Sequence, residues 1–105
     1  MTINVATQFS VTPGGRYISE GEFSGELFRQ ELLKPAFLQC KEKGDKLIVD
    51  LDGGYGYGTS FLDEAFGGLA RELKDNSILD IHIISEEEPE LIERIKEYIQ
   101  KGLKG

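Results

Sequence analysis

Residues 47–51, Leu47-Ile48-Val49-Asp50-Leu51, form an almost unbroken apolar run, and Gly53-Gly54-Tyr55-Gly56-Tyr57-Gly58 then places four glycines in six residues. A run this short and this apolar predicts a central β-strand covered on both faces. The glycines mark a loop. Thr59 or Ser60 then caps a helix, and Ser60-x-x-Asp63 matches a capping box with aspartate in the glutamate position. Leu62, Ala65, Phe66, Leu69, Ala70 and Leu73 follow at helical spacing, the signature of one buried stripe. Strand, glycine loop and helix in that order point to an α/β domain.

The rest of the chain extends the pattern. Residues 3–11 alternate, with Ile3, Val5, Phe9 and Val11 on one face, and predict a half-buried strand. Pro13-Gly14-Gly15 is a turn, and residues 16–23 read as a short returning strand. Ser24 is a candidate N-cap for a helix starting near Gly25, with Leu27, Phe28, Leu32 and Leu33 inward and a kink at Pro35. Ile78–Ile84 predicts another strand, with Leu79, Ile81 and Ile83 opposite Asp80 and His82. A last helix follows Pro89, its stripe running Leu91, Ile92, Ile95, Tyr98, Ile99 and Leu103, with Glu90–Arg94 and Glu97–Lys101 as outer-face pairs. The strand–helix–strand units predict a small α/β sandwich over residues 1–105: a mixed, mostly parallel sheet with helices packed on it.

Composition narrows the function. The 105 residues carry 19 acidic and 12 basic side chains, a net charge of −7, which disfavours binding to a phosphate backbone. One cysteine, Cys40, and one histidine, His82, leave neither a disulfide framework nor the ligands of a Cys- or His-rich metal site. No apolar stretch reaches the roughly 18–20 residues of a membrane span, and the first residues lack the pattern of a secretory leader. The expectation is a cytoplasmic domain with no metal, no cofactor, no nucleic-acid partner and no membrane partner.

Three readings of the glycine loop compete. Gly53-x-x-x-x-Gly58-Thr59-Ser60 has the spacing of a phosphate-binding loop, but Thr59 stands where that motif needs lysine, and Asp50 and Asp52 would repel a nucleotide. Gly54-x-Gly56-x-Gly58 has the wrong spacing for a dinucleotide fingerprint. The third reading is a docking loop. Tyr55 and Tyr57 would be binding anchors, and Ser60 would sit at a helix N-terminus that favours a phosphate.

At this loop the sequence resembles a known family. Leu47-Ile48-Val49-Asp50-Leu51-Asp52-Gly53, the loop, and Thr59-Ser60-Phe61-Leu62-Asp63-Glu64-Ala65-Phe66-Gly67-Gly68-Leu69 look like the STAS-like domain family of unknown function. Gly14-Gly15-Arg16, Glu20-Gly21 and Ser24-Gly25-Glu26-x-Phe28-Arg29 share the resemblance. That family is similar in turn to STAS anti-sigma factor antagonists, in which a serine at the helix start is phosphorylated by a histidine-kinase-like ATPase and phosphorylation releases the partner. By motif position Ser60 matches the acceptor and Thr59 the residue before it. Gly58 and Phe61 depart from the antagonist pattern, which has Asp and Gly there. The resemblance implies a non-enzymatic regulatory interaction module acting on another protein, an ATPase of that class being one candidate.

The expected docking surface is therefore Gly54, Tyr55, Gly56, Tyr57, Gly58, Phe61, Asp63, Glu64 and Gly67, with Ser60 and Thr59 as candidate phospho-acceptors. The alternative is a small-anion or nucleotide-binding domain using the Gly53–Ser60 loop. Asp63, Gly67 and Arg71 are expected along one outward side of their helix. Arg16 and Arg29 are expected in surface ion pairs, Asp80 and His82 as a polar surface pair, Glu86-Glu87-Glu88 as solvated acids, and Cys40 as a packed small hydrophobe.

Overall fold

The computed structural model describes residues 1–105. Three short strands, β1 (Thr2–Asn4), β2 (Ile48–Asp50) and β3 (His82–Ile84), form a sheet in the order β1-β2-β3. Both neighbouring pairs are parallel. The register aligns Ile3 with Val49 and Val49 with Ile83. This row is buried, whereas Thr2 and His82 are exposed and Asn4, Ile48, Asp50 and Ile84 are half-buried. The pleat thus separates a covered face from an open one. The expected coverage of β2 on both faces is met in part: Val49 is fully buried, whereas Ile48 and Asp50 on the opposite face are half-buried.

Four helices complete the fold. α1 (Val5–Gln8) follows β1 directly. α2 spans residues 25–43: it begins as Gly25–Phe28, widens through a π-turn at Arg29–Leu33 and continues as Lys34–Lys43. α3 spans residues 59–73, with a π-turn at Asp63–Gly67 between Thr59–Leu62 and Gly68–Leu73. α4 is Glu90–Lys104. No helix is long and apolar enough to cross a membrane.

Several local expectations are corrected. The first strand ends at Asn4, because the Asn4 side chain accepts the Thr7 N–H (3.0 Å) and the Asn4 N–H donates to Gln8 Oε1 (2.6 Å), turning the chain into α1. Residues 16–23 form no strand, so the sheet is wholly parallel. A 3₁₀ turn at Ile18–Glu20 stands there, held by the Glu20 carboxylate, which accepts the Arg16 and Tyr17 N–H groups. Pro35 does not break α2. The Lys34 N–H already reaches back five residues to the Arg29 carbonyl, so the π-turn takes up the irregularity just before the missing proline donor. Residues Asn76–Asp80 form a 3₁₀ turn capped by Asp75, and only His82–Ile84 pair as a strand. The Glu90–Arg94 and Glu97–Lys101 pairs do not close on α4.

The helical stripes fall where the spacing places them. Leu62, Ala65, Phe66, Leu69 and Ala70 are buried, as are Leu91, Ile95 and Ile99, in one cluster of 22 buried apolar residues. Cys40 packs in that cluster. Ser24 caps α2 by accepting the Leu27 N–H (3.1 Å). α3 and α4 cross closely because Gly67 and Gly102 face each other: a Cβ on Gly102 would lie 2.5 Å from the Gly67 carbonyl oxygen.

Candidate functional site

The glycine loop leaves β2 at the carboxyl end of the sheet, where α/β folds place their sites. Gly53 (φ 97°) and Gly56 (φ 136°) adopt backbone angles that side chains rarely allow. The loop is anchored at several points. The Gly53 N–H donates to Glu87 Oε1 (2.8 Å), and the Tyr55 N–H to the Val11 carbonyl (2.8 Å). Asp52 in turn accepts the Glu86 and Glu87 N–H groups (3.1 and 3.0 Å), which locks the loop to the β3–α4 connection. Glu87 is therefore a structural ligand of the loop and not only a solvated acid.

The two tyrosines part company. Tyr55 is 85% exposed. Tyr57 is half-buried against Phe61, and its hydroxyl donates to the Leu51 carbonyl (2.7 Å). Burial, with Asp50, Asp52, Glu87 and Glu88 nearby, pushes the Tyr57 phenol well above its ordinary range. The same carboxylates make this end of the sheet a poor host for a nucleotide phosphate, and two of the loop amides that could cradle one are already engaged.

Thr59 and Ser60 are the first two residues of α3 and both are exposed. The cap position falls to Gly58, and the expected capping box is not formed. Its Asp63 carboxylate is occupied elsewhere: Oδ2 accepts from Arg16 Nη1 (2.7 Å), and Oδ1 faces Arg71 Nη1 (3.5 Å). The Asp63 bond lifts the Arg16 guanidinium above its ordinary value. Arg16 reaches Asp63 because Gly15 turns with φ 83° and the chain is stitched to α2, the Gly25 N–H donating to the Gly15 carbonyl and the Glu26 N–H to the Arg16 carbonyl (both 3.0 Å).

Phe61, Glu64 and Gly67, expected on a docking face, are corrected to interior positions. Phe61 is fully buried, its ring 5.7 Å from Phe28 and 6.1 Å from Phe9. Glu64 is 8% exposed and Arg29 equally so, and they pair: Arg29 Nη1 donates to Glu64 Oε2 (2.6 Å) and to the Glu64 carbonyl (2.5 Å). Gly67 lies under α4, with the Tyr98 carbonyl 3.2 Å from where a Cβ would stand. Asp63 is half-buried in its ion pairs. Arg16 and Arg29 thus bridge two helices and a loop instead of forming local surface pairs. Asp80 and His82 are both exposed.

The interior cluster Arg16–Asp63–Glu64–Arg29, extended by Glu72 and Lys34, is the feature that sequence reasoning missed. A signal was present. Arg29 stands three and four residues before Leu32 and Leu33, on the apolar stripe of its helix, and Glu64 lies beside Phe61 and Gly68 on the next. Opposite charges on two apolar stripes mark an internal pair.

What remains on the surface is a groove of ≈ 610 Å³ lined by Arg16, Tyr17, Glu20, Gly58, Thr59 and Ser60, among others. Of the seven large apolar side chains left exposed, Val11, Tyr17, Ile18, Phe23 and Tyr55 belong to the two loops around it. The exposed apolar surface is therefore concentrated at one end of the molecule.

A three-stranded parallel α/β domain with this loop and helix start is a STAS-like arrangement. Residues 24–91 match the model of the STAS-like domain of unknown function (DUF4325), and the chain belongs to that family. The match spans both blocks that carry the resemblance, Ser24–Arg29 and Thr59–Leu69, and starts after Arg16 and Glu20. No curated protein and no solved structure matches the chain.

Proposed function

We propose that this STAS-like domain is a non-enzymatic regulatory module that docks another protein through the end of the molecule where Tyr55 and Ser60 lie. The observation that carries the reading is the concentration of exposed apolar side chains, Val11, Tyr17, Ile18, Phe23 and Tyr55, around two exposed hydroxyls. Aromatic side chains of this kind on an anchored loop present contact area at low ordering cost. The docking surface is narrower than the one expected from sequence: Gly54, Tyr55, Gly56 and Gly58 with Thr59 and Ser60, bordered by residues 11–23, with Phe61, Glu64 and Gly67 supporting it from within.

Ser60 is the proposed phospho-acceptor. A phosphate there would stand at the N-terminus of a 15-residue helix, where the dipole favours it, and would add about 1.5–2 negative charges to the surface the partner meets. The proposed partner class is a histidine-kinase-like ATPase. Binding of a histidine-kinase-like ATPase to the immobilised chain tests the reading. Tyr55→Ala and Ser60→Asp are each expected to weaken binding at least tenfold. Equal binding by wild type and both variants removes this surface from consideration. Intact-mass analysis of the chain after incubation with the ATPase and ATP checks the modification separately.

A further inference from the structure

The end of the molecule that carries Tyr55 is charged in one sign. Segments 9–23, 50–60 and 85–88 meet there: the Tyr55 N–H donates to the Val11 carbonyl (2.8 Å), the Gly53 N–H to Glu87 Oε1 (2.8 Å) and the Gly14 N–H to the Phe23 carbonyl (2.9 Å). Together they hold seven acidic residues and one base, Arg16. Arg16 is engaged by Asp63 and Glu64 of α3, whereas none of the seven carboxylates is in an ion pair.

These acids flank the exposed apolar side chains. Glu20 and Glu22 are exposed in the same segment as Tyr17, Ile18 and Phe23. Glu86 and Glu87 are exposed next to the loop that carries Tyr55, where Asp52 accepts their N–H groups.

The topology sends the opposite charge away. All eight lysines lie outside the three segments. Six stand where the helices have run back to the amino end of the sheet: Lys41 and Lys43 in the last turn of α2, Lys46 just beyond it, Lys74 at the end of α3, and Lys101 and Lys104 in the last turn of α4. Lys74 Nζ donates to the Gly102 carbonyl (2.9 Å), which places the end of α4 beside the end of α3. The Tyr55 end therefore keeps its negative field without local compensation, and such a field attracts surfaces of opposite sign and repels those of its own.

Resting on the docking surface described above, we propose that the protein that docks there is cationic: an apolar pocket or strip takes Tyr55, and Lys and Arg around it face Glu20, Glu22 and Glu86. A second copy fits poorly, because its lysine end also carries Glu42, Asp45, Asp75 and Asp80. A phosphate on Ser60 would be desolvated inside the apolar contact, so it opposes docking even though the partner is cationic.

A phage-displayed library of random dodecapeptides, selected at low salt against the immobilised full chain, tests this. Enriched peptides should combine an aromatic or leucine core with flanking Lys or Arg. A synthetic copy should bind the Tyr55→Ala chain at least tenfold more weakly. Raising ionic strength from about 0.01 M to about 0.15 M, which shortens the screening length from about 30 Å to about 8 Å, should weaken its binding at least tenfold. Glu22 and Glu86 are exposed and, unlike Glu20 and Glu87, hold no backbone N–H. Glu22→Lys with Glu86→Lys should therefore leave the melting temperature in place and weaken binding at least tenfold, and Glu22→Gln with Glu86→Gln should act in the same direction by less. Peptides that need Tyr55 but carry no excess of Lys and Arg, or that bind the charge-reversed chain equally well, overturn the cationic partner and leave the docking surface standing. Peptides indifferent to Tyr55→Ala, or no enrichment at all, remove the docking surface and the cationic partner together. Self-association of the free chain that is lost in Tyr55→Ala would name a second copy as the occupant and overturn the proposal as well.

Discussion

Arg29 and Glu64 meet 2.6 Å apart between two helices, and each belongs to a π-turn in its own helix. Both side chains are about nine-tenths covered. Around them the two family blocks meet. Gly25 admits the Phe61 carbonyl closer than any Cβ would allow, Phe28 touches Phe61, and Gly68 leaves room for the Arg29 guanidinium. The blocks fit each other before they fit a partner. Removing one member of a buried pair strands the other charge, at about 3–5 kcal/mol, whereas replacing both by apolar residues often costs little. Because Glu72 still faces Arg29 Nε (3.5 Å) in the variant, Glu64→Leu is expected to lower unfolding free energy by up to about 3 kcal/mol, the low end of that range. Arg29→Met with Glu64→Leu should recover more than half of that loss. Urea denaturation of the two variants decides it; a double variant as weak as the single one would show that the pair is not the source.

Gly102 faces Gly67 across the α3–α4 crossing. Alanine has the better helix propensity, by about 1 kcal/mol. Its Cβ, however, would stand 2.5 Å from a backbone oxygen and 2.8 Å from Ala70 Cβ, and backbone cannot step aside as a flexible side chain can. Overpacking of this kind costs about 1–3 kcal/mol. Steric cost should win, with Gly102→Ala lowering stability by up to about 2 kcal/mol. Gly105→Ala, where the nearest atom is 3.4 Å away, is the control and should melt within a degree or two of the wild type.

Helices were far more legible than strands in this sequence. The α3 and α4 stripes repeat over three turns or more, and each residue adds to the same signal. The N-terminal alternation was misleading after Asn4, where side-chain bonds from Asn4 and Gln8 start a helix that the period-two pattern does not register. Residues 16–23 read as a strand and are none, for a related reason: their order comes from Glu20 and Glu26 side chains binding backbone N–H groups, a contact without periodicity. At the candidate site the exposed Tyr55 and Ser60 could be anticipated from glycine content and helix onset. The interior placement of Phe61, Glu64 and Gly67 depended on where α2 and α4 pack, which is tertiary information.

Tyr55 and Tyr57 lie two residues apart yet should respond oppositely. Tyr57→Phe removes the donor to the Leu51 carbonyl and is expected to cost about 1–2 kcal/mol of stability. Tyr55→Ala removes a side chain exposed to solvent and should change stability by less than about 0.5 kcal/mol. Parallel thermal melts and partner-binding measurements separate the roles. A large stability loss in Tyr55→Ala would show that its ring is packed and not offered to a partner.

Acid sensitivity should arise from carboxylates that lysines hold in place. A hydrogen bond from Lys41, joined by Ser77, lowers the Asp75 carboxyl from 3.8 to about 2. Lys34 lowers Glu72 below its usual 4.5 in the same way. In both cases the folded state binds its proton less readily than the unfolded chain does, so stability falls as the unfolded form takes up protons first. The contribution is complete above pH 4.5 and is lost as pH drops through the carboxylate range toward about 2. Urea midpoints measured from pH 5 to pH 2 should therefore decline steadily. Asp75→Asn, which titrates no proton there, should flatten the part of that decline between pH 3.8 and about 2 while leaving the Glu72 part intact. An unchanged slope in Asp75→Asn would assign the acid loss to other carboxylates and leave the Lys41–Asp75 contact without weight in folding.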